Sequence, residues 1–174
     1  MLVRQNVRLV PLERRHLDAT RAWANDPELR ARILRVLPVG EQDQERWFDN
    51  LAANPSRLVF AVQERSEGVH VGNTGLYNID FLHRRAEFWI LIASAEHRGR
   101  GYGRAALGLL LDYGFDELNL NRVYLHVGAD NAPAIALYEK AGFRPEGLLR
   151  EHYFIQGRYV DVLVMSRLRK DTNA

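Results

Sequence analysis

The chain has 174 residues, of which 47% are apolar and 26% charged, the composition of one globular domain long enough to bury a core. It has no cysteine, which excludes disulfides, thiolate nucleophiles and cysteine-ligated zinc, and fits a reducing compartment. Net charge is only +2, and the basic residues, nearly all arginine, are interleaved with acidic ones as on a solvated surface rather than gathered into a nucleic-acid patch.

No basic-then-apolar leader opens the sequence, and no apolar run approaches the ~20 residues that cross a bilayer. The expected location is the cytoplasm, with no membrane, nucleic-acid or metal partner.

Asn6 to Pro11 alternates like a short strand, and Leu12 to Asn54 then carries helical spacing that includes Leu17, Thr20, Trp23 and Ala24. Asn25-Asp26-Pro27 breaks that region, with Asp26 as an N-cap and Pro27 at the first helical position. Gly40 marks a second break before Glu41 to Ala53, so three short helices are expected. From Leu58 the pattern turns strand-like: Leu58 to Gln63, Val69 to Ile79 and Ala86 to Ile92, joined by short connections that favour an antiparallel meander. A helix from Gly103 to Leu118, a strand from Arg122 to Val127, a helix from Ala132 to Lys140 and two strands joined near Gln156-Gly157 complete the chain, whose last few residues read as frayed.

Between the strand ending at Ile92 and the helix after it lies Arg98-Gly99-Arg100-Gly101-Tyr102-Gly103-Arg104. Strand, glycine turn and helix start together offer bare N–H groups at the positive end of a helix, and three arginines around them suit phosphate. Alone the signal is weak, because several unrelated folds use such loops. It is not a P-loop, since no Lys-Ser/Thr pair follows. Gly101-x-Gly103-x-x-Ala106, with Asp130 beyond, loosely fits a dinucleotide fingerprint, but antiparallel-looking strands precede it and the chain ends too soon for the remaining parallel units.

A second segment decides between these readings: Asn131-Ala132-Pro133-Ala134-Ile135-Ala136-Leu137-Tyr138-Glu139-Lys140-Ala141-Gly142-Phe143. In this order and spacing the two motifs resemble the GNAT superfamily of acetyl-CoA-dependent N-acetyltransferases. The resemblance runs over most of the chain and is closest from Gly72 to Met165. Within the superfamily, His83 to Phe88, Leu118-Asn119-Leu120, and Glu146-Gly147 through Tyr159 look like spermidine acetyltransferases, and almost as much like ribosomal-protein N-terminal and amino-sugar acetyltransferases.

The resemblance implies roles. Arg98, Gly101 and Gly103, with Gly99, Arg100, Tyr102 and Arg104 around them, would hold the acetyl-CoA pyrophosphate. Backbone groups of Ile90, Leu91 and Ile92 would line the pantetheine, with Asn131 and Ala134 on the flanking helix. Tyr138 would stand beside the sulfur as general acid; read without the motif, it is an aromatic on a buried helix face. Residues 86–143 would form the cofactor core and 12–56 the acceptor-side helices.

Acetyl transfer needs a neutral amine, and an amine of pKa near 10.4 is about a thousandfold protonated at pH 7.4, a deficit of roughly 4 kcal/mol, whereas an α-amino group near 7.8 costs well under 1 kcal/mol. Glu87, preceding the buried strand, is the candidate base through water, against an ion pair with Arg84 or Arg85. His83 and His126 are weaker relay candidates, since lone histidines near strand ends are usually structural. The acidic positions of the spermidine enzymes are occupied here by Arg35, Val36, Gly75 and Asn78, while Glu41, Asp43 and Glu45 sit on another local frame, which points away from a polyamine. Trp23, Asn25, Asp26, Trp47 and Phe48 lie where the acceptor cleft would be covered, and core packing explains the aromatics.

The expected fold is a single α/β domain with a mixed, mostly antiparallel sheet flanked by helices. The expected reaction is acetyl transfer from acetyl-CoA to a polyamine, amino sugar or protein N-terminal amine by direct attack, because no cysteine or elbow serine is present for a covalent route. The alternative is a noncatalytic acetyl-CoA sensor. By resemblance, the final strands would mediate a homodimer.

Overall fold

A computed structural model describes residues 1–34 and 37–173. The elements run β1 (Leu2–Arg4), β2 (Val7–Pro11), α1 (Leu17–Asn25), α2 (Pro27–Arg32), α3 (Glu41–Ala53), β3 (Leu58–Glu64), β4 (His70–Asp80) and β5 (Arg85–Ile92). They continue with α4 (Tyr102–Asp112), β6 (Arg122–Gly128), α5 (Ala132–Lys140), β7 (Arg144–Ile155) and β8 (Arg158–Leu168). The strands form one eight-stranded sheet in the order β1-β2-β3-β4-β5-β6-β8-β7. Every neighbouring pair is antiparallel except β5 and β6, which run parallel because α4 carries the chain back across the sheet.

Strand alternation sorts the side chains onto two faces. On one, Leu9, Val62, Leu76, Phe88, Val123, Leu125 and Met165 pack with Leu107 and Leu110 of α4 and Tyr138 of α5. On the other, Leu12, Leu17, Val59 and Ala61 pack with Trp47, Phe48 and Leu51 of α3 and with Trp89, while Leu29 of α2 packs with Leu91, Ala93 and Trp23. The aromatics of the first three helices therefore belong to packing clusters, as expected.

Asp26 caps α2, accepting from the N–H groups of Glu28 at 2.8 Å and Leu29 at 3.0 Å. Asn25 closes the following loop: its amide donates to the Val39 carbonyl at 2.9 Å and its carbonyl accepts from the Val39 N–H at 2.8 Å.

Three details differ from the sequence reading. The helix expected through Leu118 ends at Asp112 and continues as one wide π turn over Tyr113–Glu117. There a side chain on Gly114 would come within 3.3 Å of Leu120, so the glycine lets the widened turn lie against the sheet. The short hairpin strand β1 was not expected, and Arg169–Asn173 forms a 3-10 turn rather than a frayed end. No helix among the described residues is long and apolar enough to cross a membrane.

Candidate active site

The parallel pair β5 and β6 stays together for only three steps, Arg85↔Arg122, Ala86↔Val123 and Glu87↔Tyr124. Beyond Glu87, β5 follows β4 as far as Gly72↔Ile92, and beyond Tyr124, β6 follows β8 as far as Gly128↔Val162. The two strands thus open into a V whose facing edges carry backbone donors and acceptors. A ligand with amide groups in an extended chain suits such edges.

At the open end the chain turns through Gly99 (φ 74°) and Gly101 (φ 85°), and Gly101 is the N-cap of α4 with no side-chain cap. Both glycines are in the left-handed region that β-carbon sterics disfavour, and a side chain at either would meet nothing within 4 Å. The glycines are therefore required by backbone conformation, and the space over them admits a phosphate at the uncapped first-turn amides. A side chain on Gly103 would lie 3.5 Å from Leu137 and 3.9 Å from Ile92, so α4, α5 and the end of β5 converge beside the turn.

The predicted cofactor residues divide in this geometry. Tyr102 buries its ring against His97, with centroids 5.2 Å apart, leaving only its backbone for the turn. Arg98 is engaged elsewhere, donating to Glu28 Oε1 at 3.0 Å. Arg100 and Arg104 are exposed beside the turn. Ile90 and Ile92 lie on the α4–α5 face of the sheet, whereas Leu91 turns to the opposite face under Leu29, so its side chain does not reach the same surface. Asn131 caps α5, accepting from Ala134 N–H at 3.3 Å, so its side chain shapes the helix start.

Tyr138 is 7% exposed, with its ring 6.2 Å from Phe88 and 5.8 Å from Phe143. Burial pushes its phenol up to about 12. It is fully protonated at physiological pH, and it can release a proton only as a stronger base develops next to it.

Glu87 does not pair with Arg84 or Arg85, so the ion-pair alternative fails. Arg84 donates to the Asn119 carbonyl at 2.8 Å, and Arg85 lies 3.5 Å from Asp80. Glu87 instead accepts from the Asn78 amide at 2.8 Å and meets Nδ1 of His126 at 2.7 Å. His83 bonds Asp80 at 2.8 Å in the β4–β5 turn, a structural role. Tyr124 completes the group, its phenol pushed up by burial and by the Glu87 charge.

His152 was not anticipated. Its ring lies nearly parallel to that of His126, 6.5 Å away, because β7 bulges between Leu149 and Tyr153. No local residue pattern announces that bulge. The signal for His126 was its place in β6, on the same face as Tyr124 and two residues past the point where the strands part.

Apart from the cap Asp26, the carboxylates of the acceptor-side helices are paired with arginine. Glu45 and Asp49 take Arg14, Glu41 lies 3.9 Å from Arg21, Asp43 takes Arg46 at 2.5 Å, and Glu28 takes Arg32 and Arg98, each at 3.0 Å. Gly75 lies against Trp89, where a side chain would come within 2.8 Å of Nε1. Arg35 and Val36 lie outside the described residues.

The profile of the Acetyltransferase (GNAT) domain family matches residues 6–144. The chain belongs to the GNAT acetyltransferases. It is an acetyl-CoA-dependent N-acetyltransferase, and its single mixed sheet with flanking helices is the GNAT fold. Among GNAT relatives, the spermidine N(1)-acetyltransferase of Vibrio cholerae is 46% identical over 119 residues, 68% of this chain and 67% of the relative. That of Escherichia coli K12 is 34% identical over 160 residues, 92% of this chain and 84% of the relative. The crystal structure of the Vibrio cholerae spermidine N-acetyltransferase in complex with CoA and spermine superposes with a TM-score of 0.92 at 32% identity, covering 97% of this chain and 99% of that one.

Proposed function

We propose that this GNAT enzyme acetylates a primary amine of a polyamine. This replaces the expectation drawn from Arg35, Val36, Gly75 and Asn78, because the similar enzymes named for spermidine outweigh four substituted positions. The observation that carries the reading is at the V itself: Glu87 is held only by the neutral Asn78 amide and by His126, whereas the carboxylates of the covering helices, apart from the cap Asp26, face arginines. A carboxylate without a fixed cation at the closed end of the V attracts an ammonium.

In this proposal residues 86–143 hold the cosubstrate and residues 12–56 frame the acceptor. First-turn amides of Tyr102, Gly103 and Arg104 receive the pyrophosphate, with Arg100 and Arg104 beside it. The open edge at Ile90 to Ile92 takes the pantetheine amides, flanked by Asn131 and Ala134 on the α5 side. Acetyl-CoA supplies an activated thioester carbonyl. The Glu87 group receives the acceptor ammonium and draws off a proton, the amine attacks directly, and Tyr138 protonates the leaving sulfur. A tyrosine pushed up to about 12 by burial suits that last role, since it stays protonated until a thiolate forms.

β7 is one of the two edge strands, and Leu148 and Phe154 on it, with Tyr159 of β8, are 51%, 55% and 63% exposed. We assign this edge to a second copy of the chain. Light scattering on Phe154→Glu should show a smaller particle than the wild type; an unchanged mass contradicts the assignment.

The acceptor is tested with spermidine, spermine, an amino sugar and a peptide with a free N-terminus, following thiol release from acetyl-CoA. The polyamines should give the highest kcat/KM. A preference for the peptide or sugar overturns the acceptor, and binding of acetyl-CoA without release on any amine favours the sensor.

A further inference from the structure

Glu87 and His126 meet at 2.7 Å through Nδ1 of the imidazole. An ionised carboxylate only accepts hydrogen bonds, so the imidazole must carry its proton on Nδ1, and the free lone pair of the neutral ring is on Nε2. The second Glu87 oxygen accepts from the Asn78 amide at 2.8 Å. Both carboxylate oxygens therefore already hold a donor, an arrangement that orients the group. We infer that Nε2 of His126 takes the proton from the acceptor ammonium, and that Glu87 acts by holding the imidazole in the tautomer that makes Nε2 basic. This rests on the acetyl-transfer reading above and names the atom it left open.

Placement supports the assignment. Glu87 pairs with Tyr124 at the last rung before β5 and β6 part, so it occupies the closed end of the V. His126 lies two residues farther along β6, past the separation. Val123, Leu125 and Val127 are buried in the α4–α5 core, so Tyr124 and His126 project from the opposite face of the sheet. That is the face covered by the acceptor-side helices. Among the described residues no protein group bonds Nε2.

The groups facing the ring are Glu87 from β5, the Tyr124 phenol at 6.0 Å between centroids, and His152 from the β7 bulge at 6.5 Å; the register partner on β8 is the uncharged Val164. One carboxylate is in direct contact with the ring, and no arginine or lysine is among these groups. An ordinary imidazole near 6.5 is on the order of a hundredfold better matched to an ammonium than a carboxylate near 4.3. The arrangement follows the logic by which a buried carboxylate orients a catalytic histidine.

The step balances. The acceptor R–NH3⁺ gives one proton to Nε2, leaving R–NH2 and an imidazolium paired with Glu87. The amine forms the C–N bond, the C–S bond breaks, and Tyr138 gives its proton to sulfur. The second amine proton returns to the tyrosinate, through water. His126 then releases its proton to solvent past His152, which is exposed on the bulge. The net products are the amide, the free thiol and one proton.

The test combines kinetics and a direct readout of the ring. His126→Gln, His126→Ala and Glu87→Gln are compared with wild type in kcat/KM against pH, with acetyl-CoA affinity and melting temperature as checks on folding. His126→Gln should lose about 100- to 10,000-fold and lose the ionisation in the imidazole range, and His126→Ala should recover activity with added imidazole. Glu87→Gln should lose less, about 10- to 100-fold, and keep a displaced ionisation. Nitrogen-15 NMR of the neutral wild-type ring should show the proton on Nδ1.

The assignment is overturned if His126→Gln stays within about fivefold of wild type while Glu87→Gln is silent, or if the proton is on Nε2. Failure of the wild type to acetylate any amine overturns the transfer reading instead, and the NMR tautomer separates the two failures because it needs no turnover.

Discussion

Arg98 donates to Glu28 Oε1 at 3.0 Å, joining the proposed pyrophosphate turn to the acceptor-side helix α2. Glu28 also accepts from Arg32 at 3.0 Å, and the two guanidinium groups hold its carboxyl below the usual range. An arginine that serves phosphate must be shared with, or taken from, that carboxylate, so the two halves of the site are connected by one ion pair.

Glu28→Gln should therefore tighten acetyl-CoA binding by about two- to fivefold and raise KM for the acceptor, because Arg98 gains freedom while α2 loses an anchor. The pair is exposed to solvent, so the effect should shrink at high salt. Titration calorimetry at low and high ionic strength checks this, and unchanged affinity at both contradicts the connection.

Gly101→Val forces a β-branched residue into a left-handed conformation at φ 85°, costing about 1–2 kcal/mol in the turn alone. The side chain also enters the open space over the α4 amides. Acetyl-CoA affinity should fall by more than 100-fold while the melting temperature drops by only a few degrees. Retained affinity would mean that the phosphate lies elsewhere.

Tyr138→Phe removes one buried hydroxyl and leaves the ring against Phe88 and Phe143. Turnover should fall by about 10- to 1,000-fold with acetyl-CoA affinity unchanged. Because the phenol sits at about 12, the wild-type pH profile should show no loss of activity from tyrosine ionisation below about pH 11. Near-normal turnover in the variant removes Tyr138 from the chemistry.

Stability should depend on pH in two separate windows. His16 and His70, with rings 4.8 Å apart beneath Trp23, are both held below their ordinary 6.5 by burial. Their folded forms favour the neutral ring, so their contribution is complete above pH 6.5 and is lost as pH falls below it. Glu146, gripped by Arg122 at 2.5 Å and by Ser166 at 2.6 Å, sits at about 2, so its contribution is lost only as pH falls below 4.5 toward 2. Thermal melts should show a fall between pH 7 and 5 that His70→Gln flattens; Glu146→Gln should leave that fall unaltered. A fall between pH 7 and 5 that survives His70→Gln undiminished rules out the histidine pair.

Much of this architecture was legible in the sequence where local signals and packing agree. Asp26-Pro27 caps α2, and the helix from Ala132 to Lys140 appears with its expected bounds. The glycine turn was legible because positive φ leaves few alternatives to glycine. What escaped depends on distant pairing. Glu87 was visible as a carboxylate on a strand, but its partners come from β4 and β6, and the His152 ring arrives through a bulge that only the β7–β8 register reveals. Arg98 read as a phosphate ligand because its partner, Glu28, is 70 positions away. Charge pairing at that separation leaves no periodic trace.

The most direct test of the central claim is the product. Purified protein is incubated with acetyl-CoA and spermidine, and the polyamine is weighed by mass spectrometry while free thiol is counted. We predict spermidine carrying one added acetyl group in equal amount to the thiol released, with neither product formed by Tyr138→Phe at a comparable rate. Acetyl-CoA bound and left intact, with spermidine unmodified, would contradict it.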